Sequence, residues 1–166
     1  FGKFMEHPEP CIVCGSVPKG MTLVCLSRSS DYNEEALTEF DNIIVERIYH
    51  SGGTLICGED TIIAAYFTET YMDGKLDSVI EYLCKKGINA TRDENDILCD
   101  GFKVGSESRR RLNEQGLRFY GIFLSFNVDP NMVNKLCTKT MTKVPKGLSD
   151  YGITRKEILD VLGLSE

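Results

Sequence analysis

Residues Asn95-Asp96-Ile97-Leu98-Cys99-Asp100-Gly101-Phe102-Lys103-Val104-Gly105-Ser106 carry the clearest chemical signal in this chain. Asp-Gly between two apolar runs predicts a two-residue hairpin, because a type I′ turn needs a positive φ twice. With Asp100-Gly101 as the turn, Cys99 faces Phe102, Leu98 faces Lys103, Ile97 faces Val104 and Asp96 faces Gly105. The two-residue period of a strand then sorts the side chains. Ile97, Cys99, Phe102 and Val104 fall on a core face, and Asp96, Leu98, Lys103 and Gly105 fall on the other. Asp96 and Lys103 become diagonal neighbours within reach of each other. Gly105 bares the backbone beside them, so that something can approach closely. Two readings follow. Lys103 is a solvent-facing partner in an ordinary weak ion pair, or a cation aimed at an anion or a developing negative charge.

Ser51-Gly52-Gly53 is the second candidate. Paired glycines with a serine offer backbone N–H groups and little bulk, which suits a phosphate or carboxylate and suits a plain turn equally. Arg109-Arg110-Arg111 either caps a strand end in solvent or meets an anion. His7 and His50 are the only histidines and read as surface residues, although His50 precedes the glycines and stands where it could touch a ligand. Cys11-x-x-Cys14 lacks a second CxxC or HxxxH to complete a zinc site, and its flanks read as a strand rather than the helix start that a redox pair needs. No G-x-S-x-G, H-E-x-x-H or G-x-x-x-x-G-K-[ST] motif is present, and no papain-like histidine–cysteine pairing.

These residues need elements to position them. Residues 10–15 and 22–26 read as short strands about a turn at 16–20. Asp31 with Glu34 makes a capping box for a short helix through Phe40. Residues 43–49, 54–57 and 61–68 have strand character. Leu76, Val79, Ile80 and Leu83 carry the helical period over 75–86, and Gly87 is a natural stop. Residues 119–128 predict a long, central strand, and Pro130 opens a short helix over 130–137 whose apolar face includes Cys137. The last helix has Thr154 as N-cap, Glu157 at the capping-box position and Gly163 as stop. Strand pairs mixed with helices predict an α+β domain, a mixed, mainly antiparallel sheet with helices packed on it.

The 166 residues suit one domain, 1–166, large enough to bury a full core. With 42% apolar and 27% charged residues the composition is that of a soluble protein. A net charge of −6 argues against non-specific nucleic-acid binding, and no apolar run approaches the roughly 18 residues of a membrane span. Seven cysteines, mostly within apolar runs, fit small core residues in a reducing compartment, the cytoplasm.

Asn95-Asp96, Asp100-Gly101, Lys103 and Ser106, in that order and without a gap, resemble the biotin/lipoate protein ligase superfamily of biotin protein ligases, lipoate protein ligases and octanoyl transferases. Arg47 with Ser51-Gly52-Gly53 looks like that family's Gly-rich stretch after an arginine. Residues 10–15 are similar to the strand that opens the pocket wall, and 123–129 to the strand that ends in Asn127 and Asp129. Pro145-Lys146-Gly147-Leu148 and Gly152-Ile153-Thr154 are similar to the stretch before the last helix of octanoyl transferases. The resemblance covers about residues 10 to 162. It implies a pocket for lipoate, octanoate or biotin, activation of the acid by ATP and magnesium as an acyl-adenylate, and transfer to a lysine on a carrier domain. Lys103 and Asp96 would be catalytic, with Lys103 on the acyl and phosphate oxygens. Arg47, Ser51, Gly52, Gly53, Gly105 and Ser106 would bind the ligand, and Asn95 with Asp96 would position nucleotide or metal. Three departures stand beside this. The domain is expected to lack the helix that precedes the family's first strand. Gly58 and Thr61-Ile62 stand near the positions of a His and a Gly-Asn pair. Lys146 stands where octanoyl transferases carry a nucleophilic Cys, which counts against a thioester there. They leave open a second expectation, a non-catalytic ligase-like binding or interaction module, since function lives in the site and not in the fold.

Overall fold

The computed structural model describes residues 10–27, 30–47, 53–70, 72, 74–112, 116–138 and 143–165. The described residues form nine strands: β1 (Cys11–Ser16), β2 (Thr22–Leu26), β3 (Ile43–Arg47), β4 (Leu55–Cys57), β5 (Ile62–Thr68), β6 (Ala90–Asp93), β7 (Asp96–Cys99), β8 (Phe102–Arg111) and β9 (Arg118–Leu124). Among the described residues three helices join them: α1 (Lys75–Lys85), α2 (Pro130–Leu136) and α3 (Arg155–Leu162), with 3-10 turns at Glu35–Glu39 and Leu148–Tyr151. The larger sheet has the order β1-β5-β9-β8-β7-β6, and every neighbouring pair is antiparallel. The smaller has the order β3-β2-β4, with β2 parallel to β3 and antiparallel to β4. The expected α+β class with a mainly antiparallel arrangement is what forms. Among the described residues no helix is long and apolar enough to cross a membrane.

Strand alternation explains how the layers stack. Ile62, Ala64 and Tyr66 of β5 and Tyr120, Ile122 and Leu124 of β9 point to one face, where Leu76, Val79 and Leu83 of α1 and Ile158, Leu159 and Leu162 of α3 cover them. Each fully buried Leu or Ile there contributes about 1.5–3 kcal/mol of transfer free energy. Ile63 and Phe123 point to the opposite face and pack against Cys25, Leu23, Leu55 and Cys57 of the small sheet. The far side of that sheet, Val24 and Leu26, packs on Ala36 and Leu136. The small sheet is thus wedged between the end of β9 and α2, and its inner face becomes a wall of the site.

Several local expectations are corrected. The two strands read on either side of the first turn both form, and they part there, since β1 pairs with β5 while β2 enters the other sheet. Asp31 does not cap the segment to Phe40, which is a 3-10 turn without a side-chain cap. The strand expected over 119–128 stops at Leu124. Ser125 N–H turns to the Val104 carbonyl at 2.9 Å, and the Asp129 carboxylate accepts from Asn131 N–H to cap α2. Strand β6 was not expected, since Ala-Thr-Arg-Asp shows no apolar alternation. The α3 capping box forms as read, with both reciprocal bonds between Thr154 and Glu157.

Candidate active site

Asp100 and Gly101 both have positive φ, 49° and 83°, and close the β7–β8 hairpin. Cys99 faces Phe102 and Leu98 faces Lys103, but Ile97 then faces Gly105 and Asp96 faces Ser106. A bulge therefore inserts Val104, one residue beyond the expected register. Gly105 explains the tight course of β8. A Cβ on it would lie 2.7 Å from the Phe123 carbonyl oxygen, so the missing side chain lets β8 close on β9. Phe102, expected in the core, is 37% exposed. Its ring instead meets the Lys146 ammonium at 5.0 Å, which also lies 4.7 Å from the Tyr151 ring.

Lys103 Nζ contacts Asp96 Oδ1 at 2.9 Å. The other oxygen, Oδ2, accepts from Lys143 Nζ at 2.8 Å, and Lys143 reaches Asp93 at the same distance. Hydrogen bonds from Asp93 and Asp96 hold the Lys143 ammonium well above the ordinary lysine range. Lys143 arrives by backbone pairing: Lys103 N–H donates to the Val144 carbonyl and Lys146 N–H to the Lys103 carbonyl, both at 2.9 Å. Sequence reasoning missed Lys143, and no local motif marks it.

Two cavities meet at Lys103. A polar one of about 380 Å³ is lined by Gly53, Asn95, Asp96, Lys103, Ser106 and Glu107 among others. A narrow slot of about 70 Å³ is walled mainly by Leu55, Cys57, Val104, Phe123, Val128 and Val133. Lys103, Ser106, Leu55 and Phe123 belong to both. Gly105 lines the slot as well.

Arg47 is engaged elsewhere. Its guanidinium donates to the carbonyls of Ser27 and Ser30, and it lines neither cavity. Ser51, Gly52, His7 and His50 lie outside the described residues. Behind the polar cavity is a second unforeseen group. Glu107 accepts from Tyr120 Oη at 2.6 Å, Arg92 at 2.8 Å and Arg109 at 3.0 Å, while its N–H donates to the Asn95 carbonyl at 2.7 Å. Burial first and the Glu107 hydrogen bond second push the Tyr120 hydroxyl well above its ordinary range. Arg110, Arg111 and Arg118 line a separate cavity of about 290 Å³ at the other end of β8 and β9.

No protein-family model matches the sequence, and no curated protein matches it. Solved structures do. LipL1 of P. falciparum in complex with lipoate superposes with a TM-score of 0.72 at 15% identity, over 93% of this chain and 45% of that one. Lipoate-protein ligase A bound with ATP gives 0.71 at 14% identity, over 97% and 72%. A bi-partite lipoate protein ligase from Thermoplasma acidophilum, studied with its E2 lipoyl domain, gives 0.69 at 12% identity, over 94% and 69%. This chain has the lipoate protein ligase fold. It spans less than half the length of the P. falciparum protein.

Within the ligase fold, the residues around the slot speak to which chemistry is supported. Lys146 is committed to two aromatic rings, so it offers nothing in place of a nucleophilic cysteine. Burial pushes the Cys137 thiol up against the opposing pull of the Lys103 charge, which leaves it protonated and a poor nucleophile. All seven cysteines are free thiols. Among the described residues no three His, Cys, Asp or Glu side chains converge as metal ligands, and both Asp96 oxygens already carry an ammonium. The set does not fit a protein-held metal ion.

Proposed function

We propose that this chain transfers a lipoyl, octanoyl or biotinyl group to a lysine of a carrier protein domain, through an acyl-adenylate made from ATP. What most supports the reading is the place of Lys103, at the mouth shared by an apolar slot and a polar cavity. The chain of the acid lies in the slot, its carboxylate meets the Lys103 ammonium, and the nucleotide occupies the larger cavity beside Gly53, Asn95 and Ser106. The carboxylate oxygen attacks the α-phosphorus of ATP, the mixed anhydride forms and pyrophosphate leaves. Lys103 stands where charge develops on the phosphoryl oxygens. One such fixed donor accounts for about 10²–10³ in rate. The amine of the carrier lysine then attacks the acyl carbon, AMP leaves, and the same cation faces the transient oxyanion. Asp96 positions Lys103 through one oxygen and Lys143 through the other. No step is routed through a metal held by the protein; magnesium enters with the nucleotide.

The test is native mass spectrometry with lipoate, octanoate and biotin, each with and without ATP and magnesium. An added mass equal to an acyl-adenylate, lost in Lys103→Ala, is the expected result. An acyl adduct formed without nucleotide would replace the ligase route by a transferase route. No retained mass with any acid would overturn the enzymatic reading in favour of a non-catalytic module.

A further inference from the structure

One slot residue has no part in that scheme. Thr61 stands at the entrance to β5, is 0% exposed and lines the slot. Its hydroxyl is buried without a hydrogen-bond partner. Among the described residues the other buried hydroxyls in that condition, on Ser27 and Tyr66, line neither the slot nor the polar cavity. Native proteins keep few such groups, and each disfavours the state that holds it by roughly tenfold. The backbone around the residue is held. Thr61 N–H donates to the Gly58 carbonyl at 3.2 Å, and the next residue, Ile62, is paired with Leu124 in the sheet. Backbone on both sides fixes where the Cβ stands, beside the slot. Its neighbours in the slot are largely hydrocarbon, among them Leu55, Val104 and Val133. A polar donor on such a wall discriminates among ligands. It is satisfied by a chain that brings an acceptor and left unpaired by a chain that brings only C–H groups.

Resting on the reading of the site given above, we propose that Thr61 is a specificity residue whose hydroxyl donates to an acceptor atom in the buried part of the acid's chain. The slot then selects a carboxylic acid with a heteroatom in its chain over a plain alkyl acid. The probes are octanoate, which has no acceptor beyond its carboxylate; lipoate, which adds two weakly accepting ring sulfurs to the same eight-carbon backbone; and biotin, which brings a ureido carbonyl.

Dissociation constants of the three acids are measured for wild-type protein, Thr61→Val and Thr61→Ser. Valine keeps the shape and removes the hydroxyl, whereas serine keeps the hydroxyl. Wild-type protein is expected to hold the better of lipoate and biotin at least tenfold more tightly than octanoate. Thr61→Val should cut that ratio to a third or less, chiefly by weakening the heteroatom acid, and Thr61→Ser should restore it. Octanoate held as tightly as the other two would overturn the inference. So would a ratio that Thr61→Val leaves unmoved, which would mean that a trapped water satisfies the hydroxyl. If all three acids bind, Lys103→Ala releases them and the ratio stays fixed, the inference about Thr61 falls alone. If none binds to wild-type protein, it falls together with the enzymatic reading.

Discussion

Two charge clusters share the β7–β8 hairpin and differ in their access to water. Around Glu107, whose side chain is 2% exposed, Arg92, Arg109 and the Tyr120 hydroxyl close in from different strands. Around Asp96, 16% exposed, Lys103 and Lys143 close in at 26% and 24% exposed, on the wall of an open cavity. In the first cluster the carboxylate is out of water although Arg92 and Arg109, at 30% and 31% exposed, reach solvent, so it is the buried carboxylate and its bond to the Tyr120 hydroxyl that hold the geometry. In the second the ions stand at the edge of solvent, where one partner can be exchanged for another with little change in free energy. A lysine that must receive an anion has to be positioned and yet remain exchangeable. The buried carboxylate fixes the strand, and the open cluster, a few residues along it, stands on the wall of the polar cavity.

Removing the carboxylate of the closed cluster has the largest expected effect on stability. Glu107→Ala leaves Arg92 and Arg109 without their shared counter-ion beside a buried phenol. Arg92 keeps Asp77 at 2.8 Å and both guanidinium groups reach solvent, so the loss comes mainly from the buried phenol left unpaired, and about 1–3 kcal/mol of stability is expected to go, read from the urea midpoint. A loss below about 1 kcal/mol would mean that the cluster is not closed. Lys103→Ala is expected to act in the opposite manner. Acyl-adenylate formation should fall about 10²–10³-fold, while stability changes by no more than about 1 kcal/mol. If Lys103→Ala unfolds the chain and Glu107→Ala leaves it intact, the contrast between the two clusters is wrong.

The sequence makes one half of this contrast readable. Turn chemistry is local, so Asp100-Gly101 announces the hairpin and with it the meeting of Asp96 and Lys103. The bulge at Val104 is not local. It depends on how closely Gly105 can approach Phe123 and Leu124 of the next strand, which no pattern within 96–106 records. Lys143 reaches Asp96 because Lys103 pairs with Pro145, a contact between distant segments. Arg47 shows the opposite failure. The family resemblance set Arg47 beside the glycines as a ligand-binding residue, but the carbonyls of Ser27 and Ser30 engage its guanidinium. The slot was illegible for the same reason as the bulge, since β4, β8, β9 and α2 each supply part of its wall.

Lys143→Ala sharpens the open half with a smaller effect. Asp96 keeps its bond to Lys103, so the fold should lose about 1 kcal/mol or less. Retention of the nucleotide-bearing complex should weaken about tenfold, and its salt dependence should become shallower. Unchanged retention at both low and high salt would remove Lys143 from the site.

The smallest effect belongs to a third cluster, more exposed than either, which extends the comparison. Glu157 joins the start of α3 to the end of α1 through Thr154 N–H at 2.8 Å, Tyr82 Oη at 2.7 Å and Lys86 Nζ at 2.9 Å. The Thr154 backbone hydrogen bond, followed by Lys86 and Tyr82, holds its carboxyl well below the usual value of 4.5. A carboxyl whose folded pKa is depressed adds stability that is complete above its unfolded pKa and is lost as the pH falls through that value toward the folded one. Glu157→Gln should therefore melt below the wild-type protein at pH 7. The difference should shrink as the pH falls below about 4.5, because the carboxyl of the unfolded wild-type chain then takes up a proton that the folded one does not. Melting curves that stay parallel from pH 7 to pH 3 would show that these bonds are made equally well by a neutral side chain, and that ionic pairing at this exposed junction stabilises nothing.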